Sequence, residues 1–134
     1  MKILILTALL CSTAHAVCSE GRPSVKKEYG SSQAVIIATV THQNPVPETR
    51  DGSVYEGTNY RLKVDRVFRG RFLSGTTIFS ENSSGRFPME VNRKYLLFIY
   101  QQGGRYSVDN CGNSGLLTSD LAVLQAVKKL PHTK

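Results

Sequence analysis

The chain has 134 residues, with 17 Lys and Arg against 10 Asp and Glu, for a formal net charge of +7. Its 40% hydrophobic and 20% charged residues suit a folded globular domain rather than a disordered segment. The length allows one domain with a modest core and is too short for two. The positive balance favours anionic surfaces weakly.

Met1 and Lys2 form a short positive segment, "ILILTALL" follows as an apolar run, and Ala14-His15-Ala16 supplies the small-x-small pattern that signal peptidase needs. Residues 1–16 are therefore expected to be a signal peptide, and residues 17–134, 118 in all, a single mature domain that is secreted or periplasmic. A lipoprotein signal wants a small residue directly before its cysteine, but Cys11 follows Leu10 and Cys18 follows Val17. No stretch reaches the roughly 20 apolar residues of a spanning helix, so no membrane span is expected. Cleavage would remove Lys2 and Cys11, leaving a net charge of +6 and two of the three cysteines. In an oxidising compartment the economical expectation is one bond, Cys18 to Cys111, with two free thiols as the alternative. The bond would close a loop of about 93 residues, worth roughly 4 to 5 kcal/mol in the chain-entropy model and commonly less in practice.

Past Cys18, "PSVKKEYGSS" (23–32) has room for one or two helical turns ending at Gly30. "AVIIATVT" (34–41) is an almost unbroken β-rich run, as in a strand covered on both faces. "HQNPVPETRDGSVYEG" (42–57), with two prolines and two glycines, reads as a long exposed loop. In "NYRLKVDRVFRG" (59–70), Tyr60, Leu62 and Val64 alternate with Arg61, Lys63 and Asp65, and then Val67 and Phe68 are both apolar. That slip of phase predicts a bulge, a device that bends a sheet toward closure. Three more strands are predicted at 76–81, 95–100 and 105–109, the last two joined by the hairpin loop "QQGG". Five strands between polar turns predict a small closed barrel. In "TSDLAVLQAVKKL" (118–130), Val123, Ala126, Val127 and Leu130 share a helical face. Ser119 or Thr118 would cap this helix, Asp120 would favour its positive end, Lys128 and Lys129 its negative end, and Pro131 would stop it. A polar tail follows.

Motifs of catalysis are missing. His42 and His132 have no Cys, Asp or Glu at metal-ligand spacing, and no G-x-S-x-G, H-E-x-x-H, Walker or dinucleotide pattern occurs. The expectation is a binding protein, not an enzyme, with no cofactor or metal of its own. The basic run "RLKVDRVFRGR" sets out Arg61, Lys63, Arg66, Arg69 and Arg71. Alternation alone makes it a solvated face. As a site it would take an acidic glycan or envelope polymer, and no nucleic acid is expected for an exported protein.

The order "C…EYGSSQAVIIATV…YRLKVDRVFRG…TTIFSEN…NRKYLLFIY…GRYSVDNCGNSGLL", followed by a helix, resembles the domain shared by tissue inhibitors of metalloproteinases and netrin modules, from Cys18 to about Leu130. The resemblance implies an all-β fold, an OB-type five-stranded closed barrel with helices packed outside, and Cys111 tethering the N-terminal segment across it. In inhibitors of that family the mature chain begins at a cysteine whose α-amine and carbonyl chelate the protease zinc, and two disulfides hold that region. Cys18 and Cys111 match the second pair. The first is missing, because its members would fall at Ala16 and near "NSSGRF", where Ser83, Ser84 and Gly85 stand. Chelation uses an amine and a carbonyl rather than a thiol, so Val17 would supply both, with Cys18 as anchor and Ser19 as the small residue offered to a zinc metalloprotease.

Overall fold

Alternation along two apolar strands gives the molecule two cores. The computed structural model describes residues 18–47, 49–51 and 53–133, so the readings of 1–16 as a signal peptide and of Val17 as a chelating residue lie outside the described residues. The elements are α1 (Val25–Ser31), β1 (Ala34–Pro47), β2 (Tyr55–Arg69), β3 (Thr77–Glu81), β4 (Lys94–Gln102), β5 (Arg105–Val108), β6 (Gly115–Leu116) and α2 (Leu121–Lys128). On β1, Ala34, Ile36, Ala38 and Val40 point into an inner core with Leu62, Ile78, Leu97 and Ile99. Val35 and Ile37 point the other way, into an outer core with Phe68, Phe98, Tyr29 of α1 and Val123 and Val127 of α2. β4 alternates in the same fashion, which explains why both strands read as continuous apolar runs.

Five strands close a ring in the order β1-β2-β3-β5-β4-β1, with β6 added beside β4. All pairings around the ring are antiparallel except β3 with β5, which meet in parallel at Ile78 and Tyr106. From Tyr106 the pairing runs through Ile78 and Tyr60 to Gln43. On its other side it runs through Gln101, two positions past the Ile99 that faces Ala34. Gln101 thus falls opposite position 32, and the ring closes with a stagger of 11 residues, from 32 to 43, as strongly tilted strands require.

The expected bulge is present. Arg69 faces Val35 and Val67 faces Ile36, so Phe68 is the extra residue, and a second bulge falls at Asp65, between Arg66 and Val64. The first turns Phe68 into the outer core at 1% exposure and leaves Val67 39% exposed.

The long loop expected at 42–57 is corrected by the structure. β1 runs to Pro47 and β2 starts at Tyr55, pairing Pro45 with Thr58 and Pro47 with Tyr55, so the connection is only 48–54. β4 leaves β1 after Thr39, so both prolines sit on a stretch with one free edge, the position where a missing N–H is tolerated. Gly57 is required there, since a Cβ would stand 2.3 Å from the Ser80 carbonyl oxygen. At the connection, Thr49 Oγ1 and the Ser53 N–H donate to Asp51 at 2.5 and 3.0 Å. Donation by Thr49 first, and then by Ser53, lowers the Asp51 pKa to about 2.

α1 forms where its helical turns were expected, with Ser24 accepting from the Lys27 N–H at 3.2 Å as its cap. α2 is shorter than the predicted 118–130, and its cap is Asp120, not Thr118 or Ser119. The preceding residues are held by the sheet: β6 pairs with β4, Leu117 N–H donates to the Lys94 carbonyl at 2.9 Å, and Ser119 N–H donates to that of Leu116 at 3.0 Å. Asp120 is the first residue free to cap. Val123 and Val127 are buried as expected and Leu124 joins them.

The tail after Pro131 is docked rather than free. The Tyr29 hydroxyl lies 2.7 Å from the Phe68 carbonyl oxygen and 2.9 Å from that of Pro131. Burial raises the Tyr29 pKa, against the opposing charge of Arg69. The Gly70 N–H donates to the Thr133 carbonyl at 2.9 Å.

Candidate functional site: the disulfide-anchored N-terminal strap

The first described residues form a strap tied to the loop after β5 and to the start of α2. Cys18 is bonded to Cys111, with Cα atoms 5.6 Å apart and a sequence separation of 93, as the cysteine count led us to expect. The Gly21 N–H donates to the Cys18 carbonyl at 2.9 Å, closing a turn in which Ser19 and Glu20 are exposed. Gly21 has φ +71°, which suits glycine. Further on, Arg22 pairs with Asp120 at 3.0 Å, an exposed contact that adds little by itself.

Cys111 sits on the loop after β5, where Asp109 accepts from the Cys111 N–H at 2.8 Å. Two residues later Asn113 joins loop, strap and helix. Its Nδ2 donates to the Pro23 carbonyl at 2.9 Å and to Glu28 at 2.6 Å, and its backbone N–H donates to Glu28 at 2.7 Å. Glu28 is 1% exposed, and the Tyr100 hydroxyl, at 3.2 Å, is the third donor group to its carboxylate. Burial raises the Tyr100 pKa, and the neighbouring Glu28 charge raises it further. Gly112 packs so closely that a Cβ would lie 2.2 Å from Glu28 Oε1.

A cleft of about 420 Å³ lies along the strap, lined by Ser19, Glu20, Pro23, Lys27, Asp109 and the disulfide. Beyond Asp109 a larger cleft, about 670 Å³, runs over β3, β4 and β5 past Phe79, Tyr100 and Ser107. There the Arg105 guanidinium carbon stands 4.3 Å from the Phe79 ring centroid, and its side chain pairs with Glu56. Asn110 Nδ2 donates to the Ser84 carbonyl at 3.3 Å, which brings the "NSSGRF" loop beside the Cys111 loop.

The predicted basic cluster divides. Arg61, Lys63, Arg66 and Arg71 are exposed, with the Arg66 guanidinium carbon 4.8 Å from the Phe68 ring centroid. Arg69 is half-buried and committed elsewhere: it donates to the carbonyls of Ser32 and Gly30 at 3.1 and 3.0 Å and to Thr133 Oγ1 at 3.1 Å. It thus serves the C-terminal end of α1, where the helix dipole favours a cation. Register adds a residue the sequence did not suggest, because Thr39 faces Lys63 on one side and Lys94 on the other. Lys94 lies 3.7 Å from Asp65.

Among the described residues no group of three or more His, Cys, Asp or Glu is placed to hold a metal, and no helix is long and apolar enough to cross a membrane. No protein-family model matches this chain, and no curated protein matches it.

Proposed function

We propose that this chain is an exported binding protein, an OB-type closed barrel resembling tissue inhibitors of metalloproteinases and netrin modules, that blocks a zinc endopeptidase with its N-terminal strap. The observation that carries this reading is the anchoring of an exposed turn at both ends: Cys18 through the disulfide and Pro23 through Asn113, with Ser19 and Glu20 outward between them. A segment ordered before docking loses less entropy on binding. The ring order and stagger support the OB-type barrel, since 11 residues of offset over five strands implies the steep tilt of a small closed barrel.

We assign the chelating pair to Val17, because the residue left at the terminus would carry both the free amine and the neighbouring carbonyl. With cleavage after Ala16, the Val17 α-amine has an ordinary pKa of about 7.7 to 8, so part of it is neutral near pH 7. Ser19 would enter the protease pocket next to the zinc. The Ser84 loop, held by Asn110, would lie along the same edge. The protein supplies no metal and no cofactor; the zinc is the protease's.

The test compares native protein, protein acetylated at Val17, and protein with one alanine added before Val17, against a panel of zinc endopeptidases. Acetylation removes the amine lone pair, and the added residue shifts the pair by up to about 3.6 Å, whereas zinc–nitrogen bonds sit at about 2.0 to 2.1 Å. Both changes are expected to raise the inhibition constant about a hundredfold or more, with circular dichroism unchanged. Equal potency of all three, or no inhibition by the native form, would refute the reading.

A second reading rests on Arg61, Lys63, Arg66 and Arg71, which are exposed and have no carboxylate partner among the described residues. They would hold an anionic polymer. Retention on heparin should then fall steeply with salt and flatten when Arg61 and Lys63 become Gln, because counterion release drives such binding. Arg69→Gln should leave retention unchanged, since that guanidinium serves α1. Equal loss from Arg69→Gln would mean general charge and no site.

A further inference from the structure

We infer that Glu28, acting through Asn113, positions both the Cys111 loop and the strap, and thereby sets how strongly the Cys18–Cys111 bond resists reduction. The inference holds for whatever partner the strap meets, so it stands apart from the inhibitory reading.

Burying a carboxylate is costly unless donors surround it. Glu28 has no ion-pair partner among the described residues, and its donors are the Asn113 N–H, Asn113 Nδ2 and the Tyr100 hydroxyl. The other Nδ2 hydrogen of Asn113 goes to Pro23. One side chain thus fixes the loop two residues after Cys111 and the strap five residues after Cys18. Gly112, between Cys111 and Asn113, is pressed on the same carboxylate. None of these contacts uses sulfur, so they persist when the bond is open and keep the two cysteines near the 5.6 Å Cα separation that a disulfide accepts. Thiols held together in this way re-form their bond readily.

Reduction by a small dithiol consumes one thiolate to attack a sulfur of the bridge, giving a mixed disulfide and one protein thiol. The dithiol's second thiolate then releases the other protein thiol and leaves as a cyclic disulfide. Any change that lets the Cys111 loop drift from the strap favours the open side of this exchange.

The experiment equilibrates the folded protein with oxidised and reduced dithiothreitol and counts protein thiols by mass after alkylation. Glu28→Ala removes the oxygen that accepts both Asn113 bonds. Asn113→Ala removes the link to Pro23. Each is expected to raise the equilibrium constant for reduction about tenfold, equivalent to about 30 mV for this two-electron couple, and Tyr100→Phe to raise it less. Val40→Ala, which weakens the inner core rather than the outer core that seats α1, should leave the constant unchanged in the folded protein. If Glu28→Ala does not fold, Asn113→Ala and Tyr100→Phe decide the matter. An unchanged constant in the folded network variants, or an equal rise in Val40→Ala, would overturn the inference and leave Glu28 as a residue of the fold. No protease enters the measurement, so failure of the inhibition assay does not bear on it.

Discussion

Phe68→Ala is expected to lower the unfolding free energy by about 3 to 5 kcal/mol, the range for truncating a buried aromatic, as read from urea or thermal unfolding. Phe68 is the extra residue of a bulge, 1% exposed, and it packs in the outer core among Val35, Phe98 and the two helices. Its ring is covered by Arg66 at 4.8 Å and meets His132 edge-on at 5.5 Å. Its carbonyl receives the Tyr29 hydroxyl, so a shift of the bulge would also disturb the seat of α1. The neighbouring Val67→Ala is the control. At 39% exposure it should cost less than about 1 kcal/mol. Equal costs at the two positions would show that the strand does not change face where the structure places the bulge.

Replacing Cys18 and Cys111 together by Ser is expected to cost about 2 to 4 kcal/mol, measured in the same way without reductant. The entropy model gives roughly 4 to 5 kcal/mol for a loop of this length, and measured values usually fall below it because the open chain retains structure. Here the remaining ties of the strap, Asn113 to Pro23 and Arg22 to Asp120, survive the substitution. The double variant should therefore stay folded, with both cores intact. Loss of all cooperative unfolding would mean that the bond, rather than the cores, holds the fold together.

How far the sequence discloses this arrangement depends on how locally each feature is encoded. The β runs at Ala34 and Tyr95 are visible because hydrophobicity on both faces is a property of the strand itself. The bulge at Phe68 is visible because two adjacent apolar residues break an alternation, whereas the one at Asp65 leaves no such mark. The stretch from His42 to Gly57 misleads, since Pro45 and Pro47 signal a loop and only the tertiary position of a free edge makes them acceptable in a strand. The disulfide follows from the expectation that removal of residues 1–16 leaves two cysteines to pair. Its supporting network does not: Glu28 in "VKKEYG" looks like any charge on a surface helix, and Asn113 in "CGNSG" like any turn residue. Their partners lie 85 positions apart, and no local pattern carries that information. Arg69 differs in another way: its place in a basic run suggests a ligand site, and its guanidinium donates to the end of α1 and to Thr133.

The clasping of α1 has a consequence for the order of events during folding. A helix of seven residues is too short to persist alone in water. The ties that order it reach across 85 residues to Asn113 and 102 residues to Pro131, and the bond beside it spans 93. Contacts of such sequence separation are slow to form, because the chain must first pay the entropy of closing long loops. β1 and β2, joined by a short connection, can pair early, while α1, the first helix among the described residues, is among the last elements to settle. A nascent chain would carry residues 25–31 as an unstructured lead until nearly all of the sequence behind it had emerged.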